Sequence, residues 1–171
     1  MGVIEETLAA NRKYAETFKL GHLAMPPARK LAVLACMDAR LTVEHILGLK
    51  TGEAHIIRNA GGEASDDALR SLIISSRLLG TRTFYVINHT DCGMLTFEDE
   101  ALRRQLHNET GRDASHLHFH AFSDLEGHVR AQVQRIRENP FLPRDSEARG
   151  FVYDVRSGLL REIEAAARQT G

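Results

Sequence analysis

The chain has 171 residues, of which 43% are hydrophobic and 26% charged, and its 22 lysines and arginines against 23 acidic residues leave a formal net charge of -1. That length suits one domain able to bury a core, and the even charge excludes a global field that would gather nucleic acid or an anionic membrane surface. The opening MGVIEETLAANRKYAETFKLG lacks an apolar signal core and a myristoylation signal after Gly2, and no apolar run approaches the roughly 18 residues of a membrane span, so a cytoplasmic protein is expected.

In residues 3 to 19, Ile4, Leu8, Ala9, Tyr14, Ala15 and Phe18 recur at roughly helical intervals among charges, which predicts an amphipathic N-terminal helix within an arm over residues 1–25. Its apolar face fits a partner subunit or intramolecular packing equally well. Gly21 and Pro26-Pro27 break the chain, and KLAVLACM then reads as a strand buried on both faces. A short helix is expected over Leu41 to Leu49, and a second strand over residues 53 to 62, ending in the glycine pair of RNAGG. Ser65 followed by Asp66 and Asp67 predicts a capped helix start, running through ALRSLIISSRLLG to Gly80. TRTFYVIN is the third strand. Helices follow over Glu98 to Glu109 and Asp124 to Glu138, with residues 111 to 122 irregular or partly extended. FVYDVRSGLLREI alternates as a last strand, turned at Ser157-Gly158 into a terminal segment. Strand, helix, strand, helix, strand predicts an α/β fold: a single domain over 1–171 with a central, mostly parallel sheet flanked by helices. In such sheets functional groups gather beyond the carboxyl ends of the strands.

Both cysteines lie at such ends. Two cysteines cannot build a disulfide framework, and in a reducing compartment they point to metal, catalysis or burial. Cys36 closes the first strand, and FYVINHTDCGML places His89 and Cys92 after the third as His-x-x-Cys. Thiolate and imidazole are the ligands zinc prefers, and three protein ligands with one open position describe a catalytic zinc site. On spacing alone, a buried core cysteine and a strand-capping histidine explain these residues as well as a metal does.

The residues beside the cysteine add a more specific signal. Cys36-Met37-Asp38-Ala39-Arg40 followed by His89-x-x-Cys92 resembles the paired signature of the β-class carbonic anhydrases. The resemblance runs through RNAGG (residues 58 to 62) and on to FVYDVRSGLL, covering most of residues 31 to 160. It implies one Zn²⁺ per subunit on Cys36, His89 and Cys92, with Asp38 and Arg40 as a catalytic dyad and Asp38 as a fourth ligand in a closed state. It also implies a substrate pocket near Asn59, Ala60, Gly61, Gly62 and Gly93, hydration of carbon dioxide to bicarbonate by a metal-bound hydroxide, and a homodimer or larger homo-oligomer. Because two thiolates offset the charge of the ion, activity is expected to rise towards mildly alkaline pH.

Two departures widen the substrate question. Met94 stands where the family pattern has a second glycine, and little sequence precedes Cys36. The chain resembles a short subgroup that also includes carbonyl sulfide hydrolases, so hydrolysis of carbonyl sulfide to carbon dioxide and hydrogen sulfide is the near alternative. A non-catalytic zinc protein, with Asp38 permanently on the metal, is the more distant one. His116, His118 and His120 in HLHFH are expected on one side of an extended segment, as a polar strand face rather than a second metal site or proton relay. Asp91 is given no catalytic role.

Overall fold

The structure is a computed structural model that describes residues 2–165; Met1 and residues 166–171, which the single-domain assignment included, lie outside the described residues. The elements in order are α1 (Val3–Glu16), β1 (Leu31–Cys36), α2 (Val43–Ile46), β2 (Ala54–Asn59), α3 (Asp66–Arg77), β3 (Thr83–His89), α4 (Asp99–Thr110), α5 (Leu125–Glu138), β4 (Glu147–Tyr153) and β5 (Leu160–Ile163). The sheet runs β2-β1-β3-β4-β5. The first four strands are mutually parallel, and β5 joins β4 antiparallel. Every residue of β1 is buried, as its unbroken apolar run requires of a strand with neighbours on both edges.

One face of the sheet packs against α3 and α5. Ala32, Leu34, Phe84, Val86, Ala148 and Val152 meet Ala68, Leu72, Val129, Val133 and Ile136 in one apolar cluster. Ser65 starts α3 as its side chain accepts a hydrogen bond from the Ala68 N–H. On the opposite face Val33, Ala35 and Ile87 are covered by Val43 of the one-turn α2, while Tyr85 and Phe151 stay only half-buried.

Gly150 is where β4 passes α5 most closely. A Cβ there would collide with Val129 Cγ1 and stand 2.9 Å from Val133 Cγ2. Gly150→Ala is therefore expected to cost about 1–3 kcal/mol by overpacking. Urea unfolding should show a lower midpoint at an unchanged slope.

Several boundaries differ from the sequence reading. The alternation over 151 to 163 is a hairpin, not one strand: β4 begins already at Glu147, and the chain reverses where Asp154 Oδ1 accepts from the N–H groups of Arg156 and Ser157. Gly158, at a φ of 75°, completes that turn. The second strand stops at Asn59, and its glycines belong to a 3₁₀ turn over Ala60–Gly62. His116, His118 and His120 share no strand face. All three are exposed, and a φ of 60° at His120 interrupts any extended run. The Asp99 carboxylate fixes that segment by accepting from the N–H groups of Phe119, His120 and Ala121.

The N-terminal helix also separates its two readings. No residue of α1 is buried, and Val3, Ile4, Leu8 and Tyr14 are each more than half exposed. Packing among the described residues does not account for its apolar face.

Candidate metal centre

β1 and β3 are parallel neighbours, so their carboxyl ends arrive side by side and deliver Cys36 and His89 to one point. Cys92 follows three residues later, where a 3₁₀ turn over Gly93–Leu95 folds the chain back. The ligand atoms of Cys36, His89 and Cys92 all lie within 4.8 Å of one another, and the two sulfurs are 3.9 Å apart. All three side chains are buried.

The imidazole is already set for a ligand. Its Nδ1 lies 2.9 Å from the Thr90 carbonyl, which can only accept, so Nδ1 carries the proton and Nε2 presents a lone pair. That Nε2 is buried and has no hydrogen-bond partner among the described residues. A bare imidazole nitrogen beside two converging thiols in an apolar shell is costly on its own terms and fits a thiophilic, tetrahedral ion such as zinc.

The electrostatics agree. The hydrogen bond from Cys92 draws the Cys36 thiol down to about 4 against the opposing effect of burial, with help from His89 and from the backbone N–H groups of Asp38 and Gly61. The same bond, followed by burial, pushes Cys92 far above the usual thiol range. Burial works against a charged His89, but the Cys36 thiolate outweighs it and raises the ring's pKa. Without an ion, the two sulfurs and the ring thus compete for protons that a bound metal would displace.

Asp38 and Arg40 form the second layer of the site. Arg40 Nε and Nη2 donate to the two Asp38 oxygens at 2.9 and 2.8 Å, a two-pronged fork. The Arg40 bonds, ahead of all other influences, hold the Asp38 carboxyl well below the usual range. Asp38 Oδ2 nevertheless lies only 3.7 Å from His89 Nε2, at the rim of the ligand triad.

Comparison with known proteins follows this geometry. A family model described as carbonic anhydrase matches residues 31–160, which span both ligand strands and the dyad. The chain belongs to the carbonic anhydrase family. It is 48% identical to β-carbonic anhydrase 1 of Mycobacterium tuberculosis over 163 residues, covering 95% of this chain and 99% of that protein. It is also 30% identical to a carbon disulfide hydrolase of Acidithiobacillus thiooxidans, covering 92% and 87% of the two chains. Among solved structures it resembles a carbonic anhydrase from Streptococcus mutans with a TM-score of 0.91 and 39% identity, covering 96% and 99%.

Within this family fold the expected pocket residues divide by role. Asn59 faces its own loop: its amide donates to the Glu63 carbonyl and accepts from the Glu63 N–H. Gly61 and Gly62 are buried at φ values of 74° and 59°, and a Cβ on Gly62 would stand 2.7 Å from Asn88 Oδ1 and 3.2 Å from the Cys36 nitrogen. Ala60 packs into the apolar shell of Cys36 and Cys92 together with Leu95, Phe97 and Phe122. Gly93 is exposed and has nothing close to its Cβ position.

Sequence reasoning passed over three contributors. Arg58 donates to the carbonyls of Cys36 and Asp38 and so braces the turn that carries the dyad. Its place at the head of RNAGG was the available signal. His128 is stacked on Phe122 with ring centroids 3.9 Å apart and its Nε2 lies 3.1 Å from the Gly61 carbonyl, which supports the loop from α5. Asp91, which the sequence reading gives no catalytic role, accepts from Arg40 at 2.8 Å.

Proposed function

We propose that this protein hydrates carbon dioxide reversibly to bicarbonate at one zinc ion per subunit, held by Cys36, His89 and Cys92. The observation that carries this reading is the pairing of a buried three-ligand cluster with a carboxylate that Arg40 holds beside it without placing it inside. A structural zinc site is closed by four ligands and has no use for such a fork. When bound, zinc supplies Lewis acidity that lowers the pKa of a water.

The chain's own residues do the rest. Asp38 stays ionised in the grip of Arg40 and accepts a hydrogen bond from the attacking water, orienting it towards the substrate carbon. The thiolate of Cys36 and the lone pair of His89 Nε2 fix the position of that chemistry. Leu95, Phe97 and Phe122 line one side of the site with apolar surface suited to a small uncharged molecule. Leu95, Phe97 and Phe122 also border a cleft of about 450 Å³ that continues to Ser123.

A sulfur analogue is the second reading, favoured by the 30% identity to a carbon disulfide hydrolase. Carbonyl sulfide and carbon disulfide are also linear, uncharged and electrophilic at carbon, so the same water can attack them. The deciding experiment measures carbon dioxide hydration by stopped flow beside hydrogen sulfide release from carbonyl sulfide and from carbon disulfide, on the zinc-loaded protein at neutral and mildly alkaline pH. Fast hydration, rising with pH, is the expected result. Efficient sulfide release with poor hydration would transfer the assignment to the sulfur substrates, and inactivity in every assay would overturn the catalytic reading.

We further propose a homodimer or larger homo-oligomer in the cytoplasm. The exposed α1, with an apolar face that none of the described residues buries, supports the assembly. Two free thiols 3.9 Å apart suit a reducing compartment.

A further inference from the structure

Asp91 lies between the two ligands of His-x-x-Cys, with its side chain 71% exposed, and its carboxylate Oδ2 accepts from Arg40 Nη1 at 2.8 Å. The Asp91 carbonyl accepts from Arg40 Nη2 at 2.9 Å. Arg40 thus spends one side of its guanidinium on Asp38 and another on Asp91. The residue takes a left-handed φ of 56° to do so, a conformation aspartate and asparagine accept more readily than most side chains.

We propose that Asp91 is a positioning residue that fixes Arg40 and, through it, keeps Asp38 turned away from the ligand triad. This rests on the catalytic reading above, in which a position beside the three ligands must stay free. Two positions compete for the Asp38 carboxylate. One is the fork of Arg40; the other is the ligand triad, whose His89 Nε2 is 3.7 Å from Asp38 Oδ2. Arg40 is 46% exposed and would be a loose partner on a flexible stem if Asp38 alone held it. The second carboxylate removes that freedom from the far side. It does so from the loop that bears two of the three ligands, so the fork and the triad are held in register by one short segment. Losing the Asp91 charge weakens the hold on Arg40 from the far side, and the Asp38 carboxylate then closes on the metal position more often.

The test uses cobalt-substituted protein and azide as a probe of the free position, read from the visible bands of the metal. Asp91→Asn keeps the left-handed backbone and the carbonyl bond while deleting the charge, and Asp91→Gly keeps the backbone while deleting the whole side chain. Both variants are expected to hold a full complement of metal, melt near the parent temperature and bind azide about two- to five-fold more weakly, the range that an exposed charge pair sustains. The kcat/KM for carbon dioxide should fall by the same factor. Azide affinity equal to the parent's in both variants would overturn the role of Asp91 and leave the catalytic reading intact. Loss of metal from both would also overturn it, by making Asp91 a support of the ligand loop. An azide response absent from the parent itself would overturn the catalytic reading as well.

Discussion

Cys36→Ala is expected to remove zinc and carbon dioxide hydration together. The substitution leaves His89 and Cys92, and two ligands do not make a zinc site in a family of sites that uses three or four. Cys36 is also the most prepared of the three. Its thiol is drawn down, first by Cys92 and further by His89 and the N–H groups of Asp38 and Gly61, so it gives up its proton to an ion readily. Removing it takes away the negative charge that raises His89 and the acceptor to which Cys92 gives its hydrogen. Loss of a merely supporting residue around a metal typically costs about 10–100-fold in affinity, and loss of this ligand should cost at least that. Metal analysis after desalting should fall from one zinc per chain towards none, with hydration at the buffer background. Retention of one zinc per chain would refute the assignment of Cys36. Acid should mimic the variant: protons compete for the same sulfurs, so affinity must fall as pH falls. Folding is expected to survive, because deletion of one sulfur at the end of a buried strand removes little apolar area from a sheet held mainly by its contacts with α3 and α5.

The ligands and the sheet were legible for the same reason: both are written in short-range pattern. An unbroken apolar run such as LAVLAC has few alternatives to a buried parallel strand, and a strand's last residue points to the site whatever surrounds it. Ser65 announced α3 through local hydrogen bonding. What escaped depends on pairs distant in sequence. Nothing near Asp91 states that it meets Arg40, 51 positions earlier, because that contact exists only once β1 and β3 lie side by side. Arg58 reaches back across 22 and 20 positions to Cys36 and Asp38 by the same logic. The histidines of HLHFH misled for a different reason. Alternation describes a strand only where a neighbouring strand is available, and this segment is tied instead to the first turn of α4 by Asp99. Residues 151 to 163 kept period two on both sides of the turn that Ser157-Gly158 signals, and what the pattern did not state is that the terminal segment returns to pair with β4 as β5.

Asp38→Asn is expected to leave zinc content unchanged and to lower kcat/KM for carbon dioxide about 100-fold, the lower end of what a positioned proton-handling group contributes. The replacement has nearly the same shape, so the outcome isolates hydrogen bonding and charge. Arg40 presents two donors, Nε and Nη2, at 2.9 and 2.8 Å to two carboxylate oxygens. An amide can accept only one of them; its NH₂ would face the other donor, and the fork opens. Arg40 then keeps Asp91 as its remaining carboxylate partner. The neutral amide also cannot serve as the ionised acceptor that Arg40 maintains by holding the Asp38 carboxyl below the usual range. Stability should change little, because Arg40 is 46% exposed and its pairs lie at the surface, where such pairs contribute at most about 1 kcal/mol. Full activity with full zinc occupancy would show that the fork is an ornament of the loop. Loss of zinc in step with activity would instead place Asp38 among the groups that hold the metal. A hundredfold loss at constant zinc, with azide affinity for the cobalt-substituted variant unchanged, assigns Asp38 to the reacting water, because the amide has then not moved onto the ligand triad 3.7 Å away.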